Sequence, residues 1–494
     1  MLSHEHTAAE GQAVWWALFA VGSASVAGYA WLVFGLETGN SWPLLHGFVA
    51  LIAVLTVLQL AAWRCALRCG SSRALVRLLL IFALAFRCLL LFAGLDPPRA
   101  SALANDVAGR EGGYEKFLLY DNDVWRFLWD GHLITHGLSP YRYAPVEVAD
   151  DEALEALLLD DERWWGVHDN VSFERLVTVY PPVAQLFFAS ATLLAPGSVF
   201  VFKLLLVGLD LGLCWLLVTM IRAGGGAVGH LVLYAWSPLV VKEVAGSGHL
   251  ESLTALLLLA GVFCAALQAP RRAVLAVTAA MLTKLAPIVA LPLIVKRAGF
   301  RYALPAVALT VVLCLPVATT LPRWWATVRI FAERWQFNAG PWALLRAGAG
   351  SLWPSAATAL ASGLCAVLIL VIVVVTYRRL AASGHAVDLY AAVFVVLAAV
   401  VLLSPSVMPW YLIWALPFAV LLSALARRRL VRRLAPLWAV LCCLSMLSYY
   451  FYAEQVEYAW WRWLEYGGVA VLAAVAVARP LELKPPPELP AQQG

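Results

Sequence analysis

The sequence predicts an all-α polytopic membrane protein with about 12 transmembrane helices. Of its 494 residues, 63% are hydrophobic and only 13% are charged, whereas a soluble domain carries roughly 25% charged residues. The mean hydropathy is +0.81. Apolar runs close to the roughly 20 residues that a helix needs to cross a bilayer recur along the chain.

The predicted spans follow one another through nearly the whole chain. They cover residues 13–35, 44–66, 75–94, 199–221, 229–242, 251–268, 303–320, 351–376, 386–403, 409–426, 434–452 and 463–478. Two further apolar stretches, 183–195 and 273–295, are short or interrupted, so we expect them to be re-entrant or interfacial. This arrangement leaves the Lys/Arg clusters in the cytoplasm; counting both stretches as spans gives 14.

The chain is predicted to form one membrane domain, 1–478, followed by a disordered cytoplasmic tail, 479–494, that is rich in proline. Loop 97–182 falls on the outer face and contains 16 of the 30 acidic residues but only seven basic ones. Within this loop, "DDEALEALLLDDERWWG" (150–166) is predicted to be one amphipathic helix. Its apolar residues are expected at the lipid interface: Leu154, Leu157, Leu158, Trp164 and Trp165.

The same loop contains an acidic motif, "YDNDVWRFLWDG" (120–131). Asp121 is predicted to be the N-cap of a helix that runs to about Asp130 and ends at Gly131. Asp123 then lies in the first turn, where the helix dipole favours an ionised carboxylate. Such a carboxylate can act as the general base that takes a proton from a hydroxyl. The alternative is that Asp121 only caps the helix and Asp123 is only solvated.

Polar residues from distant parts of the chain are predicted to gather at this outer face. Four side chains are expected to hold a donor phosphate, because a cation or histidine there can stabilise negative charge: His249, Lys284, Arg334 and Lys242. The substrate cleft is predicted to be lined by Arg126, Tyr141, Tyr180, Glu251, Asn338, Trp410 and Tyr411. Asp210, inside a span, is predicted to be the structural partner of another polar residue.

Several cofactors and partners are not indicated. The sequence has no dinucleotide-binding fingerprint and no P-loop, which argues against a nucleotide-sugar donor. Its nine cysteines form no CxxC pair, so neither a zinc site nor a disulfide framework is predicted. The net charge of +5 arises from short basic clusters between helices, and we expect no nucleic-acid partner. No cofactor is required; a divalent cation, Mg or Mn, would bind at Asp121 and Asp123 if one is used.

Two neighbouring segments resemble bacterial polyprenyl-phosphate-sugar-dependent glycosyltransferases of the GT-C superfamily, of which mannosyltransferases are the best known. They are "DNDVWRFLWDGHLITHGLSPYRYAP" (121–145) and "VYPPVAQLFF" (179–188). The likeness continues in "VVKEVAGSGHLESL" (240–253), "MLTKLAPIVALPL" (281–293), "FNAGPWALL" (337–345) and "SPSVMPWYLIW" (404–414), and so covers most of residues 115–420.

The resemblance implies a GT-C-type fold with interfacial or re-entrant helices on the outer face, and a reaction with inversion. It also implies a catalytic acidic residue on the first large external loop. Asp121 and Asp123 take that place, and Asp121 is favoured as the base. Many relatives have a histidine before the Pro-Trp-Tyr sequence, where this chain has Met408. Phosphate binding is therefore expected to depend more on His249, Lys284 or Arg334.

The predicted function is transfer of a sugar, with mannose favoured, from a polyprenyl-phosphate donor to a hydroxyl of a glycan or glycolipid acceptor. The enzyme is expected in the lipid bilayer of the bacterial inner membrane, with its active site on the periplasmic or extracellular side. One alternative is a transporter or flippase of lipid-linked sugars, whose polar groups would lie near the midplane. Another is a polymerase or ligase that uses a lipid-diphosphate oligosaccharide.

Overall fold

The computed structural model describes residues 2–36, 41–93, 120–382 and 384–478. Within these ranges the regular secondary structure is helical, apart from one isolated parallel β-bridge between Phe337 and Ser406. The predicted all-α class is therefore confirmed. The predicted disordered tail and the part of the external loop that precedes Tyr120 lie outside the described residues.

Seven helices within the described residues are long and apolar enough to cross a membrane. They are Gly11–Phe34, Trp42–Arg68, Arg73–Leu91, Val199–Ala223, Phe300–Arg334, Pro354–Arg379 and Arg429–Glu454. An eighth is obtained if Pro238–Gly246 and Glu251–Ala266, which bend by 117° at their junction, form one span. The chain is a multi-pass membrane protein with fewer long helices than the twelve predicted spans.

The difference from the predicted spans arises where apolar runs are divided. Predicted spans 386–403 and 409–426 correspond to the shorter helices Ala386–Leu402 and Pro409–Leu425. Predicted span 229–242 is divided near Pro238, because proline has no amide hydrogen to continue a helical hydrogen-bond ladder. A prediction from composition gives the apolar length of such a run but does not detect a break in the helix.

The α-helices begin with Leu2–Phe34, and the two after it keep the bounds given above. The others are Asp123–Thr135, Pro145–Ala149, Glu152–Leu158, Glu162–Asp169, Pro182–Leu194, Val199–Ala223, Val232–Ala235, Pro238–Val241, Glu251–Ala266, Pro270–Met281, Leu291–Ala298, Ala303–Cys314, Leu321–Arg334, Pro341–Leu352, Ala357–Arg379, Ala386–Leu402, Leu416–Leu425, Arg429–Arg432, Leu434–Ser445, Phe451–Glu454, Ala459–Arg462 and Gly468–Ala478. The 3-10 turns are Val228–Leu231, Ala286–Ala290, Phe300–Tyr302, Leu315–Thr320, Pro354–Ala356, Pro409–Trp414 and Met446–Tyr450. Two segments have π-helical hydrogen bonding, Lys242–Gly246 and Trp463–Gly467.

The interruption predicted within 273–295 is present. One helix ends at Met281 and the next begins at Leu291, with a 3-10 turn containing Pro287 between them. Proline lacks an amide hydrogen, which disfavours a continuous helix here. Lys284 therefore lies in a loop between two helices.

The acidic segment 150–166 forms two helices, Glu152–Leu158 and Glu162–Asp169, so the prediction of one continuous helix is wrong. Each helix is preceded by an aspartate, Asp151 or Asp161, whose carboxylate accepts backbone N–H groups of the first turn. An aspartate N-cap stabilises a helix start by about 1 kcal/mol. The two N-caps favour two separate helices. The apolar pattern alone does not reveal this division.

The apolar residues of this segment divide between the protein core and its surface. Leu158 and Trp164 are buried, whereas Leu157 is exposed. The imidazole of His132 stacks on the Trp164 ring with centroids 3.5 Å apart, and its Nε2 lies 2.8 Å from the carbonyl oxygen of Leu158. The expected lipid contact is therefore wrong for Leu158 and Trp164, which attach the acidic segment 150–166 to helix Asp123–Thr135.

A buried ion pair joins two of the long helices. The guanidinium of Arg87 contacts the carboxylate of Asp210, with Nε 2.5 Å from Oδ2, and both side chains are fully buried. Tyr234 donates to the other oxygen of Asp210 at 2.5 Å. A charge at membrane depth is tolerated when it is paired. The prediction that Asp210 is a structural partner is confirmed.

Helix Asp123–Thr135, called the site helix below, continues past the glycine where it was predicted to end. Gly131 lies against helix Pro182–Leu194, and a Cβ atom at this position would be 2.6 Å from the carbonyl oxygen of Phe188. The glycine therefore permits close helix packing. The predicted helix end at Gly131 is wrong. The glycine lacks a side chain so that the two helices can pack closely, and it does not end the helix.

Gly131→Ala is expected to destabilise the protein by about 1–3 kcal/mol, the usual effect of overpacking, because the added methyl group meets backbone. The measurement is thermal unfolding of the detergent-solubilised protein. Gly208→Ala is the matched control, since a Cβ there would have no neighbouring atom within 4 Å among the described residues. Equal unfolding temperatures of the two variants would contradict the packing role of Gly131.

Candidate active site

The acidic motif begins the site helix in a way that differs from the predicted cap. Asn122 occupies the N-cap position without a side-chain cap bond, so the assignment of Asp121 as the N-cap is wrong. Oδ1 of Asp121 instead accepts the backbone N–H of Asp123 at 2.9 Å. This local bond fixes the two carboxylates beside each other at the start of the helix.

A cavity of about 690 Å³ opens over this helix start. Eight of the predicted site residues line it: Asp121, Asp123, Arg126, Tyr180, Lys284, Arg334, Trp410 and Tyr411. The other five lie outside the lining, among the described residues that surround it: Tyr141, Lys242, His249, Glu251 and Asn338. Segments far apart in sequence thus meet at one cavity.

Two tyrosines hold the carboxylates. The hydroxyl of Tyr180 donates to Oδ2 of Asp123 at 3.2 Å, and that of Tyr452 donates to Oδ2 of Asp121 at 3.4 Å. Tyr452 and its neighbour Tyr449, which also lines the cavity, were not found by sequence reasoning. The tyrosine-rich end of the apolar run 434–452 is the signal that could have indicated them.

The two carboxylates differ in acidity. Burial, reinforced by the negative charge of Asp121, raises the pKa of Asp123 to about 6. Burial acts in the same direction on Asp121, but the imidazole of His249 outweighs it and holds the pKa of Asp121 below its usual value. Asp121 is therefore the more strongly ionised of the pair, and Asp123 is the better proton acceptor near neutral pH.

His249 lies behind Asp121, fully buried. Its Nε2 is 3.1 Å from Oδ1 of Asp121 and its Nδ1 is 2.9 Å from Oε2 of Glu243. The ring packs on Trp410 with centroids 3.9 Å apart. His249 thus contacts the carboxylate and not the cavity, so direct contact with a donor phosphate, as predicted from sequence, has no support in this geometry.

A wide turn brings this histidine into place. The segment Lys242–Gly246 is π-helical, a geometry that is frequent at functional sites. Gly248 follows with a φ of +78°, a conformation that glycine adopts without steric cost. The backbone N–H of His249 then donates to the carbonyl oxygen of Glu243 at 2.9 Å, which places both side chains on the same side of the turn.

Lys242 is fully buried and is engaged by protein groups. Its Nζ lies 3.1 Å from Oε2 of Glu243 and donates to the hydroxyl of Tyr449. That hydroxyl donates to Oε1 of Glu243 at 2.7 Å. Lys242 therefore neutralises Glu243, and the predicted phosphate contact is unsupported because its ammonium does not reach the cavity lining among the described residues.

Lys284 lines the cavity and is held in a defined position. Its Nζ pairs with Oε1 of the fully buried Glu251. Three ring centroids surround the ammonium, those of Tyr180, Tyr411 and Trp414, at 5.9, 5.5 and 5.8 Å. Such rings favour a cation. Glu251 itself holds Lys284 from behind and does not line the cleft as predicted.

The remaining predicted residues have different positions. Arg334 lines the cavity with an exposed side chain. Arg126 lines it too, but its Nε lies 2.9 Å from Oδ1 of Asp130, and its guanidinium donates to the carbonyl oxygen of Leu176. The hydroxyl of Tyr141 donates to the carbonyl oxygen of Tyr180 at 2.8 Å. Arg126 and Tyr141 therefore brace the cavity wall.

Asn338 also supports the wall from outside. Its side-chain nitrogen donates to Oε2 of the buried Glu465 at 2.8 Å, and its backbone has a positive φ of 48°. The residue before it, Phe337, lines the cavity. Asn338 thus fixes the backbone of a lining segment, and the predicted place in the substrate cleft is not supported.

One group of side chains has the composition of a metal site. Asp121, Asp123 and His249 each offer a ligand atom, and these atoms lie within 4.8 Å of one another. The two carboxylates face the cavity and the histidine lies behind them. Carboxylate and imidazole ligands together suit divalent ions such as Mn²⁺.

The cavity combines groups that can accept a proton with a cation that can bind an anion. A carboxylate pair lies at the start of the site helix, and Tyr180 contacts both Asp123, through its hydroxyl, and Lys284, through its ring. Aromatic and aliphatic side chains form much of the remaining wall, including Phe331, Trp335 and Phe451. Such a surface suits a ligand with both anionic and apolar parts.

Comparison with known protein families gives a match over residues 118–298, to the MptA_B family, described as alpha-(1->6)-mannopyranosyltransferase, N-terminal domain. This region belongs to a GT-C-type mannosyltransferase family. The family region contains Asp121, Asp123, Tyr180, His249 and Lys284. No curated protein and no solved structure gave a significant match.

The match confirms the resemblance seen in the sequence. The mannosyltransferase region begins just before the acidic motif and ends after the break at Lys284. The match supports a glycosyltransferase, and the apolar helices indicate a multi-pass membrane protein. Cavity residues beyond 298, among them Arg334, Met408, Trp410, Tyr411 and Tyr452, complete the same cavity from the rest of the chain.

Proposed function

We propose that the protein transfers mannose from a polyprenyl-phosphate donor to a hydroxyl of a glycan or glycolipid acceptor, with inversion at the anomeric carbon. The observation that carries the proposal is the cavity itself, in which Asp121 and Asp123 lie beside the ammonium of Lys284 and apolar walls. A phosphate on an isoprenoid chain combines the anionic and apolar features that this surface would bind. The cavity offers no P-loop or dinucleotide fingerprint for a nucleotide.

In the proposed reaction, the acceptor oxygen bonds to C1 of mannose while the bond from C1 to the phosphate oxygen breaks. A carboxylate accepts the acceptor proton, and the electron pair of the broken bond remains on the phosphate. Lys284 and Arg334 stabilise this developing charge. Inversion that yields the α-(1->6) linkage of the family description requires a β-linked donor.

Asp123 is the better supported base. Its raised pKa is closer to neutral pH than that of Asp121, and an efficient general base has a pKa near the working pH. Its oxygen Oδ2 already accepts a hydrogen bond from the hydroxyl of Tyr180. An acceptor hydroxyl could approach Oδ2 from the same direction. This departs from the expectation that Asp121 is the base. The role of Asp121 is then to position Asp123, whose backbone N–H it accepts.

We further propose that the active site faces the periplasmic or extracellular side of a bacterial inner membrane. Support comes from the basic clusters, such as Arg271–Arg272 and 427–433, which lie between helices on the side expected in the cytoplasm. In the proposed orientation, the acidic segments that follow the site helix lie on the opposite side. This orientation gives a polyprenyl-phosphate donor, and not a cytoplasmic nucleotide sugar, access to the cavity.

The test supplies the purified full-length protein with polyprenyl-phosphate β-mannose and a panel of mannosides and mannolipids. We expect a new α-(1->6) linkage, identified by NMR, with the lipid donor and none with GDP-mannose. Transfer from GDP-mannose alone would contradict the proposed donor. Movement of intact lipid-linked mannose across proteoliposomes, without a new glycosidic bond, would favour a transporter instead.

A further inference from the structure

The Nε2 atom of His249 has an unusual position. It lies 3.1 Å from Oδ1 of Asp121, yet within the described part of the chain it has no partner with hydrogen-bond geometry, although it is fully buried. A buried ring nitrogen normally has such a partner. Close approach without alignment is what two ligands of a common ion show, since both point at the ion and not at each other.

The other ring nitrogen has the partner that metal-binding histidines usually have. Nδ1 lies 2.9 Å from Oε2 of Glu243, and an ionised carboxylate can only accept, so Nδ1 carries a proton. When an ion takes the place of the Nε2 proton, Nε2 offers its lone pair. Glu243 is fixed in turn by Lys242 and Tyr449. A carboxylate behind a histidine in this way orients the ring and raises its ligand basicity.

The spacing of the ligand atoms fits one small cation. Two atoms about 2.1 Å from an ion and about 90° apart are separated by about 3.0 Å, close to the 3.1 Å between His249 Nε2 and Asp121 Oδ1. Asp123 supplies a third ligand atom within 4.8 Å of the other two. Three protein ligands leave positions on the ion for water or substrate oxygen.

The charges around the carboxylates also favour a dication. Four carboxylates meet here, those of Asp121, Asp123, Glu243 and Glu251, with Lys242 and Lys284 as the ammonium groups that pair with the last two. Arg126 is already paired with Asp130. Once an ion has replaced the Nε2 proton, the neutral His249 no longer compensates the two site aspartates, and buried charges of one sign are costly unless paired. A phosphate donor would add a further negative charge.

We propose that Asp121, Asp123 and His249 bind one divalent cation of the Mn²⁺ or Mg²⁺ class, oriented by Glu243, with its open positions facing the cavity. The cation site stands on this geometry alone, whereas contact between the ion and a donor phosphate oxygen rests on the proposed function. Each carboxylate has two oxygens, so Asp123 can bind the ion through one while the other accepts a hydrogen bond from a hydroxyl, as Oδ2 does from Tyr180.

The test uses the full-length protein in detergent, treated with EDTA and dialysed, and titrated with MnCl₂ while EPR measures free Mn²⁺. We expect about one bound Mn²⁺ per chain, displaced by excess MgCl₂. Bound Mn²⁺ should also raise the thermal unfolding temperature of the wild type, because a ligand that binds only the folded state stabilises it. Absence of stoichiometric binding in the wild type would overturn the proposal.

Variants then assign the ligands. Asp123→Asn and His249→Gln are expected to abolish stoichiometric binding. Glu243→Gln is expected to weaken it about 10–100-fold, because the carboxylate that orients the His249 ring is lost. Glu147→Gln is the control, because that carboxylate pairs with Arg323 away from the three ligands. Undiminished binding in both Asp123→Asn and His249→Gln would overturn the site. Full mannosyl transfer by the EDTA-treated enzyme would contradict the ion's role while leaving the proposed function intact.

Discussion

Asp123→Asn is expected to lower the rate of mannosyl transfer by roughly 10²–10⁴-fold, the usual contribution of a general base. Asparagine has nearly the same shape as aspartate but cannot accept the acceptor proton. The hydroxyl of Tyr180, which donates to Oδ2 of Asp123, can still donate to the amide oxygen, so the fold of the site should persist. The measurement is the initial rate at saturating polyprenyl-phosphate mannose, with thermal unfolding as a check of the fold.

Two further variants test whether Asp123 or Asp121 is the base. Asp121→Asn should also reduce transfer, because Asp121 binds the backbone N–H of Asp123 and contacts His249. Asp160→Asn, at an exposed carboxylate in the acidic segment, is expected to transfer at the wild-type rate. Wild-type activity of Asp123→Asn together with loss in Asp121→Asn would move the base to Asp121. Undiminished activity of both would remove a carboxylate base from the mechanism.

Lys284→Met is expected to reduce transfer by roughly 10²–10³-fold, the effect of removing one donor that stabilises transition-state charge. It should also destabilise the protein by roughly 3–5 kcal/mol, because the buried Glu251 carboxylate loses its partner. Methionine keeps most of the side-chain volume among the aromatic rings. Transfer rate and thermal unfolding therefore both fall in this variant.

The double variant Lys284→Met/Glu251→Gln separates these two effects. Replacing the carboxylate with a neutral amide removes the unpaired buried charge, so we expect much of the lost thermal stability to return. Transfer should remain low because no ammonium is restored near the cavity. Recovery of both stability and transfer in the double variant would show that Lys284 serves only to neutralise Glu251, and would contradict its proposed role toward the donor phosphate.

Much of the fold class could be predicted because it depends on composition. A long apolar run must be helical in a bilayer, since every backbone polar group needs an internal partner there. The break at Lys284 was also predictable, because proline leaves a local signature. The number of long helices was not, because apolar length does not register breaks such as the bend of 117° between Pro238–Gly246 and Glu251–Ala266.

The candidate site was predictable in its residues but only partly in their positions. Asp121, Asp123 and Lys284 line the cavity, and each stands out in the sequence as a charge in an apolar context. The buried positions of Lys242 and His249 could not be foreseen. Lys242 is held by Tyr449, which lies 207 residues further along the chain, and His249 contacts Asp121 and Trp410. No local pattern connects residues so far apart.

The isolated β-bridge between Phe337 and Ser406 has a consequence for how this enzyme can be altered. The backbone N–H of Phe337 donates to Pro405 at 3.1 Å, and that of Val407 donates back to Phe337 at 2.8 Å. Backbone hydrogen bonds thus join two loops from different parts of the chain, immediately before Met408. A chimaera in which only one loop is replaced by that of a relative keeps only one of the two bonded partners. The two loops should therefore be exchanged together.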